Sequence, residues 1–147
     1  MSAAVRVVAA VLFDLAGRVL ISRRPPGKHM AGYWEFPGGK LDAQEAPEQA
    51  LRRELREELG IELLRCHPLL QLRHHYDDRT VELEVFMVDE YRGAPAGLES
   101  QTLKWVSVAE LPGQRLLPAD GPIIEALNVY EGIAHGAGHR TAGHSAR

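Results

Sequence analysis

The sequence predicts an α/β domain on three observations: β-branched apolar segments with period-two alternation recur along the chain, two segments carry an apolar stripe at helical spacing, and the length of 147 residues suits one domain. A chain of this size buries roughly 68–70% of its unfolded surface, enough for a proper core. With 45% hydrophobic and 25% charged residues the composition is that of an ordinary soluble globular protein. The net charge of -3 excludes a general attraction to nucleic acid polymers, so any phosphate chemistry has to come from local arrangement and a bound cation.

The first apolar run, residues 5–13, reads as a mostly buried strand. It is no secretory leader, because Arg6 interrupts it and it lacks a basic flank and a small-residue cleavage site. Asp14-Leu15-Ala16-Gly17 reads as a turn into a second strand, 18–23, the two forming a hairpin. The breakers in Pro25-Pro26-Gly27 and Gly32 make a loop, which delivers the extended piece Tyr33-Trp34-Glu35-Phe36 and ends at a Pro37-Gly38-Gly39 turn.

Residues 46–59 are the clearest helix. Pro47 suits the first turn, where a missing N–H costs nothing, and Gly60 suits the left-handed position after the last. Leu51, Leu55 and Leu59 form the buried stripe, Glu54, Glu57 and Glu58 a neighbouring acidic face, and Arg52 and Arg56 a basic outer face.

Beyond it, residues 63–76 read as one or two strands broken near Pro68, Asp77-Asp78 as a turn, and 80–91 as a strand that completes a second hairpin. Residues 93–97 are a loop, 103–106 a short strand with Trp105, 108–111 a helical turn, and 122–130 a helix with Ile123, Ile124 and Leu127 inward. The domain is thus expected over residues 1–131, with 132–147 a Gly/Ala/His-rich flexible tail whose His135, His139 and His144 have no preformed geometry. Cys66, the one cysteine, excludes an intramolecular disulfide, suits a reducing cytoplasm, and reads as a small buried residue rather than a nucleophile. No apolar run is long enough to span a membrane.

The chemistry is concentrated behind Gly38-Gly39. Glutamates at i, i+3 and i+4 repel one another, each like-charge pair costing roughly 0.2–0.5 kcal/mol in an isolated helix. A hard divalent cation reverses that penalty: Mg²⁺ takes oxygen ligands, keeps several waters and bridges one or two carboxylates to substrate phosphates. Glu54, Glu57 and Glu58 supply carboxylates, a Gly38 or Gly39 carbonyl adds an oxygen, and Ala50, one turn earlier, is expected to leave room for the ligand.

Gly39, five residues, Glu45, seven residues, then Arg53-Glu54-Leu55-Arg56-Glu57-Glu58-Leu59-Gly60-Ile61 matches the Nudix box, G-x5-E-x7-R-E-U-x-E-E-x-G-U with U apolar, at every specified position. The chain therefore resembles the Nudix hydrolases, from about residue 5 to about 127, and within them the MutT-like enzymes. Supporting stretches are Trp34-Glu35-Phe36-Pro37-Gly38-Gly39-Lys40, Gly97-Leu98-Glu99-Ser100-Gln101 and Leu117-Pro118-Ala119-Asp120-Gly121-Pro122. The resemblance implies an α/β/α sandwich with a mixed β-sheet and two main helices, and Mg²⁺-dependent hydrolysis, with Mn²⁺ a substitute, of a nucleoside triphosphate to the monophosphate and pyrophosphate. By matching position it makes Glu54, Glu57 and Glu58 metal ligands, with Gly38 or Gly39 lending a carbonyl and Arg53 orienting the glutamates. Glu99 becomes a further ligand or the base, Glu54 being the first choice for base. Glu45 is expected to close its loop against the helix N-terminus, where negative charge is favoured.

The same resemblance puts Arg24, His29, Phe36, Tyr76, Arg79 and Asp120 around the base and implies 8-oxo-dGTP as substrate, a nucleotide-pool role tied to DNA replication and repair. The best-known bacterial members carry Asn where this chain has Asp120, and ionised Asp only accepts hydrogen bonds. Cytidine nucleotides are the alternative substrates, and a non-catalytic Nudix-like binding module is a third reading that the complete set of box acids disfavours. The expected partner is a small nucleotide, with no nucleic acid polymer and no membrane, for a cytoplasmic monomer or homodimer.

Overall fold

The computed structural model describes residues 4–136. Strands β1 (Val5–Val11), β4 (Gly38–Lys40), β5 (Glu62–Tyr76) and β6 (Arg79–Arg92) form one sheet in the order β4-β1-β6-β5. In it β1 and β6 run parallel and the other neighbours antiparallel, so the sheet is mixed. Strands β2 (Val19–Arg23), β3 (Trp34–Glu35) and β7 (Leu103–Val106) form a second, antiparallel sheet in the order β3-β2-β7. Helix α1 (Pro47–Leu59) packs on one side and α2 (Gly121–Gly136) on the other.

The uninterrupted apolar character of residues 7–13 follows from covering both faces of β1. Val8, Ala10 and Leu12 pack with Leu51, Leu55 and Leu59 of α1, whereas Ala9, Val11 and Phe13 pack with Ile123 and Leu127 of α2. The expected hairpin of residues 5–23 forms only at its tip. Val5–Val11 is paired on both edges, to β4 and β6, so β2 meets the chain beyond it: Leu20 N–H donates to Leu12 O at 3.1 Å and Asp14 N–H to Arg18 O at 2.9 Å.

Gly38-Gly39 is a strand rather than the end of one, with Gly38, Gly39 and Lys40 opposite Ala9, Val8 and Val7. The second hairpin is present and longer than expected, turning at Asp77-Asp78. Its pairing register shifts between Pro68 and Leu70, where proline has no N–H to give. Residues 108–113 form a 3-10 helix, and α2 continues past Gly132, taking in 132–136 of the expected tail; His139 and His144 lie outside the described residues. Cys66 is half-buried and its thiol is pushed up to about 11, chiefly by burial, which leaves it unreactive at neutral pH. Among the described residues no helix is long and apolar enough to cross a membrane.

Candidate active site

Helix α1 is fixed at both ends by its own sequence. Gln49 Oε1 accepts the Ala46 N–H at 3.0 Å, Pro47 fills the first turn, and Gly60, at φ 71°, turns left-handed with its N–H on Arg56 O at 3.1 Å. Burial of Ala50, Leu51, Leu55 and Leu59 then sets the rotation of the helix. Ala50 belongs to that core and makes no room for a ligand, because it sits under the helix among the leucines. Arg52 does not point freely to solvent: it donates to Leu63 O and pairs with Glu48 at 3.1 Å.

With the leucines inward, Glu54 is directed at β4. A Cβ placed on Gly39 would lie 2.5 Å from Glu54 Oε2, so the carboxylate occupies the space that glycine leaves open. Arg53 spans the neighbouring loop and helix. Its Nε and Nη2 bond Glu45 at 2.8 and 2.9 Å, Nη1 reaches Glu54 at 3.1 Å and Glu57 at 3.4 Å, and Nη2 also donates to Lys40 O at 3.1 Å. Glu45 also accepts the Asp42 N–H at 2.9 Å, and these bonds, Arg53 first, hold its carboxyl down at about 2.

Glu58 is pushed up to about 9, first by burial and then by the charge of Glu54, with Glu99 and Glu35 adding to it. Burial raises Glu54 as well, and the two carboxyls hydrogen-bond each other. A crowded pair of acids in which Glu58 is raised to about 9 is a place where a dication is favoured. Among the described residues no three His, Cys, Asp or Glu side chains converge as a closed ligand set. The donors instead line an open cleft, Glu57 and Glu99 exposed at its edge, which suits a hard ion that retains waters and takes other ligands from phosphate. Hard oxygen donors along an open cleft therefore fit a divalent cation.

This cleft, about 580 Å³, brings together every site residue expected from the sequence except Arg53, which stands behind the acids. Glu54, Glu57, Glu58, Glu99, Gly38 and Gly39 lie on it, and so do Arg24, His29, Phe36, Tyr76, Arg79 and Asp120. Tyr76 is held from two sides: its OH accepts the Ala119 N–H at 3.1 Å and its ring meets His29 edge-on at 5.6 Å. Arg24 donates to His29 O at 2.6 Å and pairs with Glu35 at 2.8 Å. Phe36 is buried in the core and offers the cleft its inner wall.

Asp120 is 5% exposed, accepts a backbone bond from Phe36, and has an Oδ2 without a hydrogen-bond partner among the described residues. Burial first, and then the Glu35 charge, push its carboxyl up to about 8. It is therefore mainly a neutral acid at pH 7, contrary to the ionised acceptor assumed from its residue type, because the Arg24 charge and the Phe36 bond do not offset desolvation and the Glu35 charge.

Sequence reasoning missed Glu35 and Lys28 as cleft residues. The available signal for Glu35 was an acid in an otherwise aromatic extended piece, following an arginine in the preceding strand.

The NUDIX domain family matches residues 3–127, which include every cleft residue named above. An 8-oxo-dGTP diphosphatase of Proteus vulgaris is 46% identical over 86 residues, 58% of this chain and 77% of that protein. A CTP pyrophosphohydrolase of Escherichia coli (strain K12) is 38% identical over 123 residues, 84% of this chain and 90% of that protein. Among solved structures, the MutT NUDIX hydrolase from Burkholderia pseudomallei superposes with a TM-score of 0.77 at 29% identity, covering 85% of this chain and 98% of that one. The acids behind the glycine strand, the mixed sheet that carries them and these matches agree, and the chain belongs to the NUDIX domain family.

Proposed function

We propose that this chain hydrolyses 8-oxo-dGTP, or a similar modified deoxynucleoside triphosphate, to the monophosphate and pyrophosphate. One observation carries the reading: a single cleft is lined both by the carboxylates of α1 and by Asp120, whose buried Oδ2 has no partner among the described residues. The same cavity thus offers acids for a cation with its phosphates and a separate polar group for a base.

Glu54, Glu57 and Glu58, with a Gly38 or Gly39 carbonyl and Glu99, would hold Mg²⁺, or Mn²⁺ in its place, and the ion when bound neutralises phosphate charge. Arg53 keeps Glu54 and Glu57 aimed while Glu45 anchors its other edge. Glu54, half-buried and with a raised proton affinity, takes the proton of the water that attacks phosphorus in line. Lys28, Arg24 and Arg79 lie along the cleft as cations for the anionic substrate.

At the base end a neutral Asp120 carboxyl presents one donor and one acceptor side by side, as the amide of Asn does. The guanine edge, with O6 accepting and N1–H donating, complements it. Cytosine, with N3 accepting and its 4-amino group donating, complements it too, and the likeness to a CTP pyrophosphohydrolase favours that second reading.

The test compares kcat/KM for 8-oxo-dGTP, dGTP, dCTP, 5-methyl-dCTP and ADP-ribose with Mg²⁺. The oxidised purine is expected to lead. A lead by a cytidine nucleotide would replace the assignment with the second reading, and no turnover with tight nucleotide binding would indicate a binding module.

A further inference from the structure

The other five acids lining the cleft, Glu35, Glu54, Glu57, Glu58 and Asp120, sit on regular structure, but Glu99 rides on a loop and is exposed. Its place depends on what holds the backbone there.

The end of a helix leaves carbonyls without partners. At the end of α1 the loop supplies them: Ala96 N–H donates to Leu59 O and Leu98 N–H to Glu58 O, each at 3.0 Å. Gln101 adds a side-chain link, its Nε2 donating to the same Glu58 O at 3.0 Å while its Oε1 accepts the Glu99 N–H at 2.8 Å. One amide thus joins the backbone of Glu58 to the backbone of Glu99. The loop closes tightly around it, since a Cβ on Gly97 would overlap Gln101 O and lie 3.3 Å from Oε1, and Ser100 adopts φ 66° with its N–H on Gly97 O at 3.1 Å.

We propose that Gln101 is a positioning residue that ties the Glu99 loop to the last turn of α1, so that the loop acid and the helix acids meet one cation at fixed spacing. The proposal rests on the reading above, in which Glu99 belongs to the acid set. The chemistry requires Gln at this position. A carboxylate would repel the Glu58 carbonyl it must donate to, and an Asn amide falls one methylene short of spanning both bonds. Methionine has the length and neither bond.

The experiment compares wild type with Q101M, E99Q and the double variant, with Q101N as a second probe should Q101M fold poorly. Mn²⁺ affinity of the nucleotide-free protein is read by calorimetry, mobility at Glu99 by exchange of its backbone amide, and turnover as kcat and KM on 8-oxo-dGTP. Q101M is expected to weaken Mn²⁺ binding to the level of E99Q and speed exchange at Glu99. It should also cut kcat on the order of ten- to a hundredfold with KM little changed, the scale of a small misplacement at a reacting centre. The double variant should be no worse than E99Q, because Gln101 acts through Glu99. Losses that multiply in the double variant, or wild-type Mn²⁺ affinity and amide exchange in both Gln101 variants, would overturn the proposal. A chain that turned over no nucleotide would remove the proposed activity and leave the Mn²⁺ and exchange readings to decide the role of Gln101.

Discussion

Gly39 and Glu54 occupy one space between them: the carboxylate of Glu54 sits where a side chain on Gly39 would be, 2.5 Å from Oε2. Gly39→Ala therefore has to displace Glu54, since the backbone of β4 is held by its pairing to β1. We expect kcat to fall on the order of a hundredfold with the protein still folded. The check is steady-state kinetics with circular dichroism. A wild-type kcat would show that Glu54 works from another position.

Arg53 and Glu45 make two parallel bonds, a geometry that lysine does not reproduce. The depressed Glu45 carboxyl, about 2 against an ordinary 4.5, sets the sign of the pH effect. Its stabilisation is present in full above the unfolded value and is lost as pH falls through about 2. Arg53→Lys should flatten the fall in Tm below pH 4.5 relative to wild type, and should also lower kcat by loosening Glu54 and Glu57. Parallel Tm profiles for the two proteins would count against the pairing.

Glu57 is half exposed and its one ion pair among the described residues, to Arg53 at 3.4 Å, is long, so Glu57→Gln should leave Tm almost unchanged. On the proposed reading it removes a ligand of the cation, and kcat should drop by at least about a hundredfold in Mg²⁺. Near wild-type turnover would mean that the metal lies elsewhere in the cleft.

Asp120 supplies the base-end titration. Below about 8 the carboxyl is neutral and, on the proposed reading, would pair with the base; above it the group ionises, loses its donor and carries a charge facing Glu35. Hence kcat/KM for 8-oxo-dGTP should decline above that pH in wild type, and the decline should be absent in Asp120→Asn. Stability follows the same sign: with a folded value raised from 3.8, the contribution of Asp120 is complete at low pH and is lost as pH rises through about 8. Thermal melts from pH 5 to 9 of both proteins check it, and equal slopes would show that Asp120 does not titrate there.

Helix α1 was legible from end to end because its determinants are local: Pro47 and Gly60 mark its ends, and the four-residue leucine repeat sets which face is buried. The acids that follow from that rotation were legible with it, and the strands appeared where alternation is strong, as in residues 80–91. Other features depend on residues distant in sequence. Gly38-Gly39 looked like a turn because glycine has no strand preference, yet pairing to Ala9 and Val8 makes it the strand under Glu54. The two sheets could not be told apart by pattern, since both present the same alternation. Likewise, Asp120 reads as a charged residue in sequence, and only its burial beside Glu35 and Phe36 makes it a neutral acid. Periodicity along the chain thus determined which face of α1 carries its acids, and the resemblance carried by the box and its supporting stretches marked the other candidate residues. Tertiary structure decided their charge states and spacing, because desolvation and electrostatic neighbours arise only when distant segments pack together.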